Sequence, residues 1–485
     1  MASLGGAKML TTQQIQEFIE KDKISNKKRL AKVGANYYEG KHDIRNYKLF
    51  YYNDDGQLKE EKDKSNIKIS HPFFTEQVDQ KVQYLFSGDG YLVKSDKPEL
   101  QNLLDEYINE NDDFKAELEE VSTEASTKGY GYLFMYRGKD GKLQFQCADT
   151  MGVVEVRAKD TQDNCDYVIY WYVDRITEEN EIIKKIQVWN NDSVSFYVQK
   201  NSEAIELDES VNPNPRTHSI YEENNKLYGT SFNMIPFFRI DNNRKQLSDL
   251  TPIKDLIDDY DLMSCGLSNN IQDASEYLVV VKGFEGGSME ELDRNIRTKK
   301  RIGVGEGGDI DIKTIGIPYQ ARQTKLDLDE KNIYRFGMAF NSAQLGDGNI
   351  TNVVIKSRYA LLDLKCNKFE TQLRKLLRQI MKVILKEIND EYKTDYQLKD
   401  IRFNFEREVM TNALDNEQIE LAKAQTEQTR ITTLLNLASS LDQETIIQKV
   451  CDILDIDYQK IKEKLPVDES DTTEYEGAIN NLGVE

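Results

Sequence analysis

Residues 303–308 read GVGEGG, a formal match to the G-x-G-x-x-G spacing whose backbone amides close on a pyrophosphate. That chemistry needs a strand before the glycines and a helix after them, so that a helix N-terminus faces the phosphates. Here a basic helix end precedes and the alternation DIDIKTI follows, which predicts a glycine hairpin loop instead. A second glycine-bearing segment, NSAQLGDGNIT at 341–351, runs directly into a long apolar and basic stretch, a junction able to present amides to an anion. It lacks the G-x-x-x-x-G-K-[ST] pattern of an ATPase phosphate loop and follows no convincing strand, so it is read as a flexible loop. The carboxylate pairs Asp258 with Asp259 and Asp309 with Asp311 have the donor type that Mg²⁺ takes in nucleases. In a chain with 85 acidic residues, solvated faces are the expected place for such pairs.

Histidine and cysteine chemistry has little raw material. The three histidines, His42, His71 and His218, stand in unrelated contexts and are expected at the surface or satisfied in the core. The five cysteines are widely separated with no Cys-x-x-Cys pair, which predicts a reducing compartment and no structural zinc. These residues give no support for catalysis, and no metal or cofactor is expected.

At 485 residues the chain has room for two or three domains, since single cores rarely exceed about 250–300 residues. Apolar residues are 39% and charged ones 31%, against about 25% charged in an average globular chain. Much of the molecule is therefore surface, as in an elongated protein or a part of an assembly. The formal charge of −21 argues against a generic nucleic-acid binder, because contact with a phosphate backbone needs locally gathered cations, and any contact with DNA is expected to be local or transient. No signal-peptide run is seen at the N-terminus and no stretch of about 18 apolar residues suggests a membrane span, so no membrane partner is expected.

These residues are carried on recognisable elements. Helical periodicity runs from 11 to about 38 with Thr12 placed to cap, and again in HPFFTEQVDQKVQYLFSGDG at 71–90, where Phe74, Val78, Val82 and Phe86 recur every four residues and Gly88 and Gly90 end the helix. An acidic helical pair follows at about 98–128. Alternating aromatic runs from about 130 to 199, with Lys139-Asp140-Gly141 as a hairpin turn, predict an antiparallel β region whose rings are core and cross-strand pairs. Thr251-Pro252 starts a helix to about 274 with Ile253, Leu256, Ile257 and Tyr260 on one face and Asp255, Asp258, Asp259, Asp261 and Asp273 on the other. A small α/β module follows: a strand, a helix capped by Ser288 and Glu291 that ends on Lys299, Lys300 and Arg301, and a second strand. Beyond a returning helix and the second glycine loop lies the longest and most basic helix, its apolar positions Leu362, Cys366, Phe369, Leu373, Leu376 and Ile380 in a three-four rhythm. Two further helices and an acidic tail close the chain.

The order of these parts, with the phrases KVGANYYEGKHDI, VDQKVQYLFSG, IPFFRIDNNRKQLSDLTPIKDLIDDYDLMSCGLSNNIQD, GNITNVVIKSRYALLDLK and FEREVMTNALDNEQIELAK, resembles the SPP1-type portal family of tailed bacteriophages. The resemblance implies an α+β, mainly helical fold with wing, stem, clip and crown regions. It implies a wing at 1–250, a stem helix at 251–275, a clip at 276–318, a returning stem helix at 319–340 and a tunnel loop at 341–352. The long wing helix and strand would be 353–411 and the crown 412–466, followed by a tail at 467–485 whose acidic composition predicts disorder.

The family's function would be a non-enzymatic ring, typically dodecameric, at one capsid vertex of the virion, assembled in the host cytoplasm. Implied partners are further copies of the chain, double-stranded DNA in the channel, the terminase large subunit, the head–tail adaptor, and the major capsid and scaffolding proteins. The tunnel loop and channel would be lined by Gln344, Leu345, Gly346, Asp347, Gly348, Asn349, Ile350, Thr351, Lys356 and Arg358, and Lys299, Lys300 and Arg301 would serve docking at the clip. The loop departs from the family's commoner form: Thr351-Asn352-Val353-Val354 stands where a run of small residues usually leads into the lysine. Two other readings stay open at this stage, a metal-dependent nucleic-acid processing enzyme and an assembly adaptor that binds proteins alone.

Overall fold

Thr11 opens the first helix. The computed structural model describes residues 9–458 apart from 54, 63, 89–90, 139–140, 158–164, 224–225, 274–277, 285–287, 295–303, 314–318, 342–351, 408–412, 438–442, 455 and 457. The Thr11 side chain accepts from the Gln14 amide and the Gln14 side chain accepts from the Thr11 amide, a capping box that starts α1 (Thr12–Lys23). The cap is therefore Thr11, one residue before the predicted Thr12. The helix predicted to reach Tyr38 is also two helices. Ser25, in extended backbone, accepts from the Lys28 amide and begins α2 (Asn26–Tyr38), a cap that competes with helix continuation.

An antiparallel ribbon, β1 (Phe50–Tyr52) with β2 (Leu58–Glu60), leads to α3 (Phe73–Leu85). Phe74, Val78 and Val82 are buried as their spacing requires, packed with Tyr37, Ile253, Ile257 and Ile333. After β3 (Val93–Ser95) come α4 (Pro98–Leu104) and α5 (Asp112–Lys128), joined through a π-helical turn at Asp105–Asn109. Gly34 marks the closest crossing of α2 on α5: an added Cβ would lie 1.9 Å from the Thr127 carbonyl oxygen.

The β region is antiparallel throughout. β4 (Tyr130–Arg137) pairs β5 (Leu143–Ala148), with Arg137 opposite Leu143 across the predicted turn. A second sheet runs through β6 (Val153–Arg157), β7 (Cys165–Ile176), β8 (Ile182–Trp189), β9 (Ser193–Lys200) and β10 (Glu206–Leu207), with β11 (Arg216–Thr217) also on β9. β12 (Ser219–Glu223) and β13 (Lys226–Thr230) form a ribbon, and β14 (Phe237–Asp241) returns to flank β4. The aromatic runs pack where these two sheets meet. Tyr130, Tyr132 and Trp189 are buried, and the Phe134 ring lies 5.1 Å from Trp189 and 4.8 Å from Phe237. Those rings are core, as expected, and are not displayed for base stacking.

The next helix, α6 (Lys254–Asp273), begins two residues later than the Pro252 start that Thr251-Pro252 signals. Residues 251–253 instead make a turn in which the Ile253 and Lys254 amides both donate to the Leu250 carbonyl. β15 (Leu278–Phe284), α7 (Met289–Arg294) and β16 (Val304–Lys313) form the predicted small module, with Ser288 accepting from the Glu291 amide. The glycine segment corrects the hairpin-loop expectation: 304–308 belong to β16, Val304 facing Phe284 and Asp309 facing Lys282 across a bulge at Gly283. Gly283 and Gly307 take left-handed φ of 69° and 86°, and a Cβ on Gly308 would lie 2.7 Å from the Lys282 carbonyl, so glycine is required by the bulged ribbon. The strand β16 runs on from these glycines to Lys313, where the phosphate-binding arrangement would place a helix N-terminus.

α8 (Tyr319–Gly337) returns, and α9 (Asn352–Tyr392) extends for 41 residues, about 60 Å at about 1.5 Å per residue. Leu362, Cys366, Phe369, Leu373, Leu376, Ile380 and Ile388 are buried along one stripe. β17 (Ile401–Phe403) pairs β3. The chain divides into two compact units, Met1–Leu345 with Arg358–Glu408, and Gly346–Ser357 with Val409–Glu485. The second contains α10 (Ala413–Asn436) and α11 (Gln443–Ile453), with Ile446 and Cys451 buried. The acidic tail at 467–485 lies outside the described residues.

Candidate functional site

The carboxylates of α6 were expected on a solvated face, where Asp255 is exposed, whereas Asp258, Asp259 and Asp261 are engaged by other side chains and Asp261 is buried. Asp258 accepts from the Tyr37 hydroxyl and from Lys254 Nζ at 2.7 Å, and Lys254 also reaches Asp43. Asp259 and Asp329 both pair with Lys325, which ties α6 to α8. Asp261 is fully buried. Its Oδ2 lies 2.6 Å from His42 Nδ1, while Oδ1 lies 2.7 Å from His71 Nδ1 and accepts from the His71 amide at 3.0 Å. Burial pushes this carboxyl up, and the bonds from His42 and His71 outweigh it, holding it below the ordinary carboxylate range. The two histidines are thus satisfied residues, as read, but their contexts are joined and not unrelated. Asp258, Asp259 and Asp261 are thus engaged by lysines, a tyrosine and histidines, and among the described residues no group of three or more His, Cys, Asp or Glu side chains could hold a metal ion.

The end of α8 is anchored on α3. Tyr334 donates to Glu76 at 2.6 Å, Gln80 Nε2 donates to the Phe340 carbonyl at 2.9 Å and the Phe340 amide donates back to Gln80 Oε1. Below it lies a buried ionic cluster. Lys81 Nζ, on the apolar side of α3, donates to Ser126 Oγ at 2.9 Å, Asn242 Oδ1 at 2.7 Å and Asp249 Oδ2 at 2.9 Å. Lys365 of α9 sits 3.4 Å from the same carboxylate and donates to the Gly337 carbonyl at 2.9 Å. Burial pushes the Lys81 ammonium below its ordinary value, whereas Lys365 and Lys81 together hold the Asp249 carboxyl far below its own, against the effect of burial. Four elements meet at this carboxylate: α3, α5, the 242–252 segment and α9. Sequence reading missed it, although one signal was there. Gln77 and Lys81 stand within the apolar spacing of α3, where a solvated helix face would not place them.

The predicted channel residues divide. Residues 344–351 and Lys299, Lys300 and Arg301 lie outside the described residues. Lys356 is exposed on α9 and Arg358 half-buried. Two residues apart on a helix, their side chains diverge by about 200° and do not share a face.

Residues 16–464 match the family model described as phage portal protein, SPP1 Gp6-like. The chain belongs to that family. It is similar to the portal protein of Bacillus phage SPP1, 28% identical over 408 residues, covering 83% of this chain and 78% of that one. It is also similar to the portal protein of Clostridium phage phiCD119, 23% identical over 395 residues, covering 77% and 84%. A phage portal protein is a structural virion component that associates with copies of itself and with the capsid. The mixed α+β fold with antiparallel sheets agrees with that membership. Among the described residues no helix is long and apolar enough to cross a membrane.

Proposed function

We propose that this portal-family chain builds a ring at one capsid vertex, a channel through which double-stranded DNA enters during packaging and leaves at ejection. The observation that carries the reading is the α6–α8 pair, joined by the Lys325 ion pairs, with the β15–α7–β16 ribbon inserted between them and α9 beyond. In this reading α6 and α8 are the stem and 276–318 the clip, which docks the terminase large subunit and then the head–tail adaptor. Residues 341–352 are the tunnel loop, 412–466 the crown, and 1–250 with 353–411 the wing that meets capsid and scaffolding proteins. The ring is assembled in the host cytoplasm.

Charge supports a conduit. A wall rich in cations would release many counterions on binding DNA and hold it, whereas a chain at −21 with few channel cations lets it slide. Lys356→Ala is expected to leave ring formation unchanged and to reduce the salt slope of DNA retention by about one phosphate contact per site. Arg358→Ala is expected to act more on α9 stability, because its side chain is half-buried and has a partner. Deleting 345–349 tests the channel itself: packaging lost with rings intact supports it, and full packaging by such rings contradicts it. Incubation with Mg²⁺ and labelled DNA is expected to give no cleavage.

A further inference from the structure

A groove of about 590 Å³ opens between the 242–252 segment, the end of α8 and the α9 stretch around Lys365. Its rim carries Arg244, Lys245 and Lys368, all exposed and without an ion-pair partner among the described residues, and its floor carries Lys81 and Lys365. Asp249 is the single carboxylate in the lining, and both floor lysines already engage it. The flank is apolar. Phe336 is 49% exposed, with the Arg335 guanidinium 5.9 Å from its ring, and Leu361 and Leu364 share an exposed stripe of α9 with Lys368.

Cations bordering open aromatic and aliphatic side chains suit a protein better than a phosphate backbone, which gains nothing from leucines. The chain itself carries a matching surface. At the turn joining β7 to β8, the segment 174–181 holds four carboxylates, Asp174, Glu178, Glu179 and Glu181, against one guanidinium, Arg175. Glu178 and Glu179 are exposed and have no ion-pair partner among the described residues. Beneath them the cross-strand pair Ile176 and Ile182 is open, Ile176 64% exposed, with Val173 beside it. The turn is ordered: the Thr177 amide donates to the Glu181 carbonyl at 2.9 Å and the Glu181 amide donates to Thr177 Oγ1 at 3.1 Å.

We infer that the groove receives the acidic β7–β8 turn of a neighbouring copy of this chain. The inference rests on the ring reading above. Two different surfaces of one chain that fit each other make a head-to-tail contact, the kind that closes into a ring. Copies that each carry −21 repel one another, so a lasting contact between them has to set local positive charge against local negative charge. Here the glutamates meet Arg244, Lys245 and Lys368, and Ile176 and Ile182 meet Phe336 and Leu364.

The test is a charge exchange read by mass photometry and negative-stain imaging at low salt. Arg244→Glu with Lys245→Glu and Lys368→Glu is expected to cut the ring fraction about tenfold, as is Glu178→Lys with Glu179→Lys, while circular dichroism and melting stay as in the unaltered chain. Both sets in one chain restore complementarity, and rings are expected to return to within about twofold of the unaltered level. Rings at the unaltered level in the groove-reversed chain, or no recovery in the combined one, overturn the inference. So does a groove-reversed chain that forms full rings yet loses DNA retention, since the groove then faces nucleic acid. If the unaltered chain forms no rings, it is the ring reading that fails.

Discussion

Asp249→Asn is expected to destabilise the fold by about 3–5 kcal/mol, the cost of leaving buried lysines without their counter-charge. Lys81 is 1% exposed and Lys365 9%, and both ammonium groups point at this one carboxylate. Ser126, Asn242 and the Gly337 carbonyl remain as hydrogen-bond partners but carry no charge to balance two cations. The measurement is the urea midpoint at unchanged slope, and a loss below about 1 kcal/mol contradicts the assignment. Lys81→Met is expected to cost less, because it removes a buried charge together with its desolvation and leaves Asp249 paired to Lys365.

Asp261→Asn carries the second large effect, about 3 kcal/mol, because it leaves His42 and His71 facing an amide in place of a buried carboxylate. Its pH dependence has a definite sign. The folded carboxyl is held below its ordinary value, so the unfolded chain binds the proton more readily, and the stabilisation is present above about pH 4 and fades as pH falls. The unaltered chain is expected to lose stability on acidification more steeply than the Asp261→Asn variant. Equal slopes for the two would show that the carboxylate is not held by the histidines. Hydrogen exchange should rise in α6, which carries Asp261, while the stripe of α9 from Leu373 to Ile388 keeps its protection.

Local periodicity made much of the fold legible. The four-residue spacing of Phe74, Val78 and Val82 and the long rhythm of α9 follow from helix geometry, and the alternating aromatics follow from the two-residue period of strands. The order of parts also carried the family. Start points were less legible, because capping is decided by one side chain: Ser25 stops a helix that apolar spacing would continue, and the Leu250 carbonyl delays α6 past Pro252. The site's ionic clusters were least legible of all. Asp261 meets His42 and His71 across 219 and 190 residues of chain, and Lys81 meets Asp249 across 168, separations that no local pattern encodes. The glycines at 305, 307 and 308 show the opposite failure, since a spacing that suggests phosphate binding lies in a bulged β ribbon.

Mass measurement combined with negative-stain imaging of the purified full chain, over a range of concentration and salt, tests the central claim most directly. Closed rings of about twelve copies around an open axial channel are the predicted result. Monomers and dimers alone, under every condition, would contradict it.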